Sequence, residues 1–80
     1  MNGPINSSEI SRMLNDALPG AQIVVRGEGG KFEVEVVSPG FEGLNRVKRQ
    51  QAVYRILNEH ISTGAIHAVS MILKSPAETA

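Results

Sequence analysis

An alternating stretch of the chain constrains its fold more than any other feature of the sequence. Over residues 31–37 apolar side chains alternate with charged ones, which is the pattern of a strand with one buried and one solvated face. The β-branched run at residues 21–26 predicts a preceding strand, and the glycine-rich residues 27–30 predict the hairpin loop between them. The apolar face of this hairpin must be covered by other elements.

Two amphipathic helical segments are available to cover it. Apolar residues repeat at helical spacing from Ile10 to Leu18, after several N-cap candidates, and Pro19 ends this helix. A second helical region, formed by one helix or two, begins at Asn45 and is stopped by residues 63–64. Its predicted buried stripe consists of Val53, Ile56, Leu57 and Ile61.

A third strand is predicted over residues 65–73 and is carried back beside the hairpin by the second helical region. One side of this strand carries Ile66, Ala68, Ser70 and Ile72, and the other carries His67, Val69, Met71 and Leu73. Because three strands cannot form a two-sheet sandwich, the helices must cover one face of a small open sheet. The predicted fold is a two-layer α+β domain over residues 7–74, with a flexible N-terminus at residues 1–6 and a flexible tail at residues 75–80.

Composition excludes several classes of function. The 80 residues contain no cysteine, which excludes thiolate catalysis, cysteine zinc sites and redox switching by the chain's own residues. No apolar run approaches the roughly 18 residues that a membrane span needs, and no secretory signal is visible, so we expect a cytoplasmic protein. Ser70 and His67 point to opposite faces of the predicted strand, and little else suggests catalysis, so we expect no enzymatic activity.

The chain contains two histidines, His60 and His67. His60 falls beside the buried stripe near the end of the second helix, where a packing or capping role is expected. His67 has two interpretations: a metal ligand or proton-handling group at a strand edge, or a half-buried histidine that hydrogen-bonds a neighbouring backbone group. No second histidine, cysteine or paired carboxylate lies at ligand spacing, so any metal bound by His67 needs further ligands from elsewhere.

The start of the second helix combines basic and amide side chains. It carries Arg46, Lys48, Arg49, Gln50 and Gln51. These residue types contact phosphates and base edges at an exposed helix start. Aromatic residues for base stacking are scarce and the chain has no net charge, so any binding of nucleic acid is expected to be weak and steeply salt-dependent. The same residues would also suit an acidic protein partner, or form only a solvated helix face.

Several motifs of the chain are found together in one known family. They are Phe41-Glu42-Gly43, Asn45-Arg46-Val47, Gln50-Gln51-x-Val53-Tyr54, Leu57, Ile66-His67-Ala68-Val69-Ser70 and Ser75-Pro76-Ala77-Glu78. With the preceding helix and hairpin, the chain resembles the BolA-like family over about residues 7–78, and most closely its short acid-stress branch. The resemblance implies an αββααβ fold that is topologically similar to class II KH domains.

The resemblance also implies a partner and a shared cofactor. BolA-like proteins pair with monothiol glutaredoxins in the assembly or trafficking of iron–sulfur clusters and in stress responses. In that family the histidine that matches His67 is a proposed ligand of a two-iron two-sulfur cluster, with glutaredoxin cysteine and glutathione supplying sulfur. No intrinsic cofactor is implied, and alone the chain is expected to be a monomer or weak homodimer.

Two further consequences of the resemblance concern DNA and the hairpin. The family is also described as DNA-binding transcriptional regulators, through the helix that matches residues 46–55, which here includes Arg46, Lys48, Arg49 and Gln50. Family members often place a second histidine or cysteine in the hairpin loop or at the start of the next strand. Residues 27–32 of this chain have no such ligand, so Glu28, a solvent molecule or a partner group would have to replace it.

Overall fold

The computed structural model describes residues 5–79. Within that range the chain forms α1 (Ser7–Ala17), β1 (Gln22–Glu28), β2 (Lys31–Val37), a 3₁₀ turn at Pro39–Phe41, α2 (Arg46–Ser62), β3 (Ala68–Lys74) and a second 3₁₀ turn at Pro76–Thr79. No helix among these residues has both the length and the apolar character to cross a membrane.

The strands form one sheet in the order β1-β2-β3. Strand β1 pairs antiparallel with β2, and β2 pairs parallel with β3, so α2 makes the crossover that a parallel pair requires. Both helices contribute to a single core with the sheet, which confirms the predicted two-layer α+β fold. The second of the three helices in the αββααβ pattern corresponds to the 3₁₀ turn Pro39–Phe41. The third corresponds to α2, which is continuous.

The core lies between the helices and the apolar face of the sheet. Its most deeply buried side chains come from both helices, the central strand and the segments that flank α2: Ile10, Leu14, Phe32, Val34, Val36, Phe41, Val53, Leu57 and Ile66. The predicted buried stripe of the second helix is confirmed at Val53 and Leu57, with Ile56 and Ile61 partly buried beside them. The opposite face of the sheet is open to solvent, where Val24 and Ile72 are nearly half exposed.

The β1–β2 hairpin is tighter than predicted. Glu28 pairs with Lys31, so the turn consists of Gly29 and Gly30 alone, with φ angles of 62° and 82°. A two-residue turn with positive φ at both central positions matches the right-handed twist of the strands, and glycine adopts it without a steric penalty. Strand β1 therefore extends to Glu28 and not to residue 26.

Strand β3 begins later than predicted. It covers Ala68–Lys74, and its alternate apolar side chains pack against the core as expected. The predicted alternation is wrong for the two residues before the strand, because Ile66 is buried and His67 is exposed. These residues belong to the link that follows α2, so the path of that link decides their direction and the pleat of the strand does not.

The N-terminal end of the described chain is anchored to the fold. Ile5 is buried in the core, and the side chain of Asn6 accepts the backbone N–H of Glu9 (2.9 Å) as the N-cap of α1. An N-cap of this type satisfies an N–H group that has no partner within the helix. A flexible N-terminus was predicted for residues 1–6, and these contacts contradict it at residues 5 and 6. Residues 1–4 lie outside the described residues.

Candidate functional site

His67 lies in the link between α2 and β3, immediately before the strand begins. Its backbone N–H donates to the carbonyl oxygen of Gly30 (2.7 Å), and the N–H of Ala68 donates to the same oxygen (3.1 Å). Because this carbonyl belongs to the hairpin turn, the main chain at His67 is tied to that turn. The side chain of His67 is exposed, which contradicts the half-buried alternative for this histidine.

The imidazole borders an open depression between α2 and the start of β3. The depression is lined by Tyr54, Ile61, Ile66, His67, Ala68 and Val69. Among these lining residues only His67 carries a side chain that commonly binds metals, through its neutral ring. The depression therefore offers a single imidazole beside apolar surface that another molecule can cover.

The described residues do not form a complete metal site. Within residues 5–79 no group of three or more His, Cys, Asp or Glu side chains could hold a metal ion together. Glu28, which could replace the missing hairpin ligand, ends β1 and pairs with Lys31 across the turn. A metal ion or cluster at His67 therefore fits only as a shared one, with its remaining ligands supplied by a partner.

His60 contributes to the same link through its backbone. Its side chain is partly buried in the last turn of α2. Its carbonyl oxygen accepts the N–H of Ile66 (3.0 Å) and the hydroxyl of Thr63 (3.3 Å). These bonds satisfy a carbonyl near the helix end, where helical partners are lacking. Because these bonds belong to the backbone, the packing or capping role expected for the His60 side chain stays a prediction.

Arg49 is mostly enclosed by the fold and is not part of an exposed basic surface. Only 12% of its side chain is exposed, and its guanidinium group donates to the carbonyl oxygens of Leu44 (2.9 Å) and Leu73 (3.2 Å). It also pairs with Glu78 (2.6 Å) and lies 5.8 Å from the centre of the Phe41 ring, within the range of a cation–π contact. These contacts contradict the prediction that Arg49 is exposed for binding nucleic acid.

Glu78 connects the C-terminal turn to this arginine. Its carboxylate accepts the backbone N–H (2.6 Å) and the hydroxyl (3.0 Å) of Ser75 as well as the guanidinium of Arg49. These hydrogen bonds lower the pKa of Glu78 from 4.5 to about 2, and the bond from the Ser75 backbone makes the largest contribution. A flexible tail was predicted for residues 75–80, and these contacts contradict it for residues 75–79. Residue 80 lies outside the described residues.

The other residues of the predicted nucleic-acid surface do not form one patch. Arg46 and Lys48 are exposed in the first turn of α2, and Gln50 is partly buried. Residues two apart on an α-helix are separated by about 200° around its axis, so Arg46 and Lys48 point in nearly opposite directions. The start of α2 therefore presents two separate cations and no continuous basic surface.

Gly30 and Tyr54 belong to the His67 site but are absent from its predicted residues. Tyr54 had a usable signal, because it is an aromatic residue outside the predicted buried stripe that includes Val53. It is 45% exposed. Gly30 had no separate signal, because a hairpin turn already explains a glycine at that position.

The fold, the crossover and the histidine that follows it define a BolA-like protein. The family model described as BolA-like protein matches residues 8–78, and the chain therefore belongs to the BolA-like family. This confirms the family that the sequence motifs predict.

Individual relatives agree with the assignment. The acid stress protein IbaG of Escherichia coli strain K12 is 42% identical over 76 residues, which cover 95% of this chain and 90% of IbaG. The structure of BolA1 from Arabidopsis thaliana is similar with a TM-score of 0.81 at 33% identity, covering 98% of each chain. A BolA protein homologue from Coxiella burnetii has a TM-score of 0.80 at 29% identity, covering 94% of this chain and 96% of that one.

Proposed function

We propose that this chain is a non-enzymatic adaptor that pairs with a monothiol glutaredoxin in the assembly or trafficking of iron–sulfur clusters. His67 contributes one imidazole ligand to a two-iron two-sulfur cluster, and the glutaredoxin and glutathione contribute the sulfur ligands. The observation that carries the proposal is an exposed imidazole at an anchored position in a chain without cysteine. Imidazole is an established ligand of two-iron two-sulfur clusters, since histidines replace cysteines on one iron of Rieske centres.

The surroundings of His67 support a cluster that is shared between two proteins. The depression beside the ring is lined largely by apolar side chains, including Tyr54 and Ile61. A partner that covers this surface would exclude water from the cluster, and solvent exposure is one of the factors that set cluster potential. Replacing a thiolate by the imidazole of His67 would also raise the potential.

Substitution of His67 tests the ligand role. The purified protein is mixed with a cluster-loaded monothiol glutaredoxin, and the visible circular dichroism of the cluster is recorded. We expect the wild-type chain to change the spectrum and His67→Ala to lose that change, because the imidazole is removed from the iron. His60→Ala is the matched control and should behave as the wild type.

Binding to the glutaredoxin is measured separately, without a cluster, by isothermal titration calorimetry. We expect His67→Ala to bind the cluster-free glutaredoxin with nearly wild-type affinity, which would separate ligation from docking. Identical cluster spectra for the wild type and His67→Ala would refute the ligand role. No binding of either form to the glutaredoxin would refute the adaptor function as a whole.

We extend the proposal to the stress response on the basis of IbaG, a relative that is named an acid stress protein. In cells that lack this chain, the wild-type gene should restore survival after a shift to acid pH, and a gene with His67→Ala should not, at equal protein levels. Full restoration by His67→Ala would show that the stress role does not depend on the cluster ligand.

DNA binding by the start of α2 is a second candidate function. It is favoured by the exposure of Arg46 and Lys48 near the N-terminus of α2, where the helix dipole adds positive potential. Because Arg46 and Lys48 point in nearly opposite directions around the helix, at most two phosphate contacts are available. Binding should therefore be weak, with a slope of log affinity against log salt no steeper than about −2.

A salt titration with labelled duplex DNA tests this function. Arg46→Glu and Lys48→Glu should each abolish binding at low salt, because either change removes half of the available cations and adds an anion. Arg55→Glu, at another exposed position of α2, should have a smaller effect. Failure of the wild type to bind at low salt would exclude the function.

A further inference from the structure

Gly30 is buried beneath the side chain of His67, although it lies in a hairpin turn. A Cβ atom at position 30 would overlap Cδ2 of the imidazole and lie 3.2 Å from both Cγ and Nε2. Since Cδ2 is the nearest atom and its two neighbours are equally distant, the ring points its Cδ2 edge at the glycine. The opposite edge, with Nδ1 and Cε1, therefore faces away from the turn.

The backbone of Gly30 anchors the same histidine. Its carbonyl oxygen accepts the N–H groups of His67 (2.7 Å) and Ala68 (3.1 Å). The main chain of His67 is thus hydrogen-bonded to Gly30, and its ring lies beside the same residue. A ring that is held in this way loses less rotational freedom when it binds a metal ion, so less of the binding energy is spent on ordering it.

The neighbouring glycine shows that the space at position 30 is not a requirement of the turn. Gly29 also has a positive φ, 62° against 82° for Gly30, so both positions favour glycine for their backbone conformation. A Cβ atom at position 29 would meet nothing within 4 Å. Only Gly30 of this pair also provides the space that the imidazole of His67 occupies.

We propose that Gly30 is a positioning residue for His67. The missing side chain at position 30 allows the imidazole to lie against the hairpin turn and to direct its far edge toward a partner's metal. The presence of a metal at His67 is taken from the proposed function. The positioning role of Gly30 is taken from the contact geometry. Groups that orient a metal ligand without touching the metal typically change affinity by about 10- to 100-fold when they are altered.

The contact is first tested in the unaltered protein. We expect a nuclear Overhauser effect between the Hδ2 proton of His67 and the α-protons of Gly30 in the partner-free chain. Its absence would overturn the proposal, and this measurement does not depend on whether any variant folds.

Two alanine variants of the turn then separate positioning from turn strain. Gly29→Ala and Gly30→Ala impose a similar backbone strain, but only alanine at position 30 meets the ring. We expect Gly30→Ala to shift the imidazole resonances of His67 and to weaken the His67-dependent cluster signal about tenfold. Gly29→Ala should leave both unchanged.

A double-variant cycle checks that the effect passes through the histidine. In the wild-type background Gly30→Ala should lower the denaturation midpoint more than Gly29→Ala does. In a His67→Ala background the two glycine variants should have equal midpoints, because the overlapping ring is gone. If Gly30→Ala still lowers the denaturation midpoint more than Gly29→Ala in the His67→Ala background, the proposal is overturned.

The outcomes distinguish this inference from the function on which it rests. If His67→Ala changes the cluster spectrum but Gly30→Ala and Gly29→Ala behave alike, the positioning role is wrong and the adaptor function stands. If His67→Ala leaves the cluster spectrum unchanged, the ligand role is wrong, and with it the role of Gly30 in metal binding.

Discussion

Arg49 joins the segment before α2 to strand β3 and to the C-terminal turn. Its guanidinium group donates to the carbonyl of Leu44 before α2 and to the carbonyl of Leu73 in β3, and it pairs with Glu78 in the C-terminal turn. The fixed geometry of a guanidinium group suits several acceptors at once better than an ammonium group does. A lysine at this position would keep the charge but satisfy fewer of these acceptors.

We expect Arg49→Ala to lower the free energy of unfolding by about 1–3 kcal/mol, because it leaves the carbonyl groups of Leu44 and Leu73 without this donor. Arg49→Lys should fall between the wild type and Arg49→Ala. Urea denaturation followed by circular dichroism measures the change, with Arg55→Ala at an exposed position of α2 as the control. Equal midpoints for Arg49→Ala and Arg55→Ala would contradict the structural role of Arg49.

The C-terminal turn Pro76–Thr79 depends on the ionised form of Glu78. Folding lowers the pKa of this carboxyl group from 4.5 to about 2. A carboxyl group with a depressed folded-state pKa stabilises the fold above its unfolded pKa, and that contribution is lost as the pH falls toward the folded value. The turn is therefore fully stabilised at neutral pH and weakens between pH 4.5 and about 2.

We expect Glu78→Gln to be less stable than the wild type at neutral pH, and the difference to shrink as the pH is lowered below 4.5. Glutamine can still accept hydrogen bonds, but it lacks the charge that Arg49 and the Ser75 N–H stabilise. Urea denaturation midpoints of both proteins at a series of pH values measure the effect. A difference that stays constant over the whole series would show that the charge of Glu78 does not matter.

The whole molecule depends on a small core, because a chain of 80 residues buries a smaller fraction of its surface than a larger domain does. Leu57 is completely buried in that core, whereas Ile72 on the open face of the sheet is 46% exposed. The same truncation should therefore have very different effects at the two positions.

We expect Leu57→Ala to lower the free energy of unfolding by about 2–5 kcal/mol, a large part of the 5–15 kcal/mol that is typical of domains. Ile72→Ala should cost about 1 kcal/mol or less, since it leaves no cavity. Urea denaturation of both variants checks the difference. Similar losses would mean that the open face is covered in solution, for example by a second copy of the chain.

Local patterns were sufficient for most of the fold. The alternation at residues 31–37, the stripe through Val53 and Leu57 and the glycine-rich hairpin each predict an element that the structure contains. The errors lie at boundaries, where Glu28 extends β1 and His67 precedes β3. Boundaries depend on hydrogen bonds to other strands, and these bonds are not encoded in the periodicity of one segment.

Sequence alone determined that His67 is the one imidazole or thiolate ligand outside the predicted helices, because the chain has no cysteine and only two histidines. It also determined the elements, since apolar periodicity and turn residues act over a few positions. Only the tertiary structure decided that Arg49 is used within the fold and that His67 lies against Gly30. Both results come from contacts between residues 24 to 37 positions apart in the chain, and the direction of a side chain toward such a partner is set by packing.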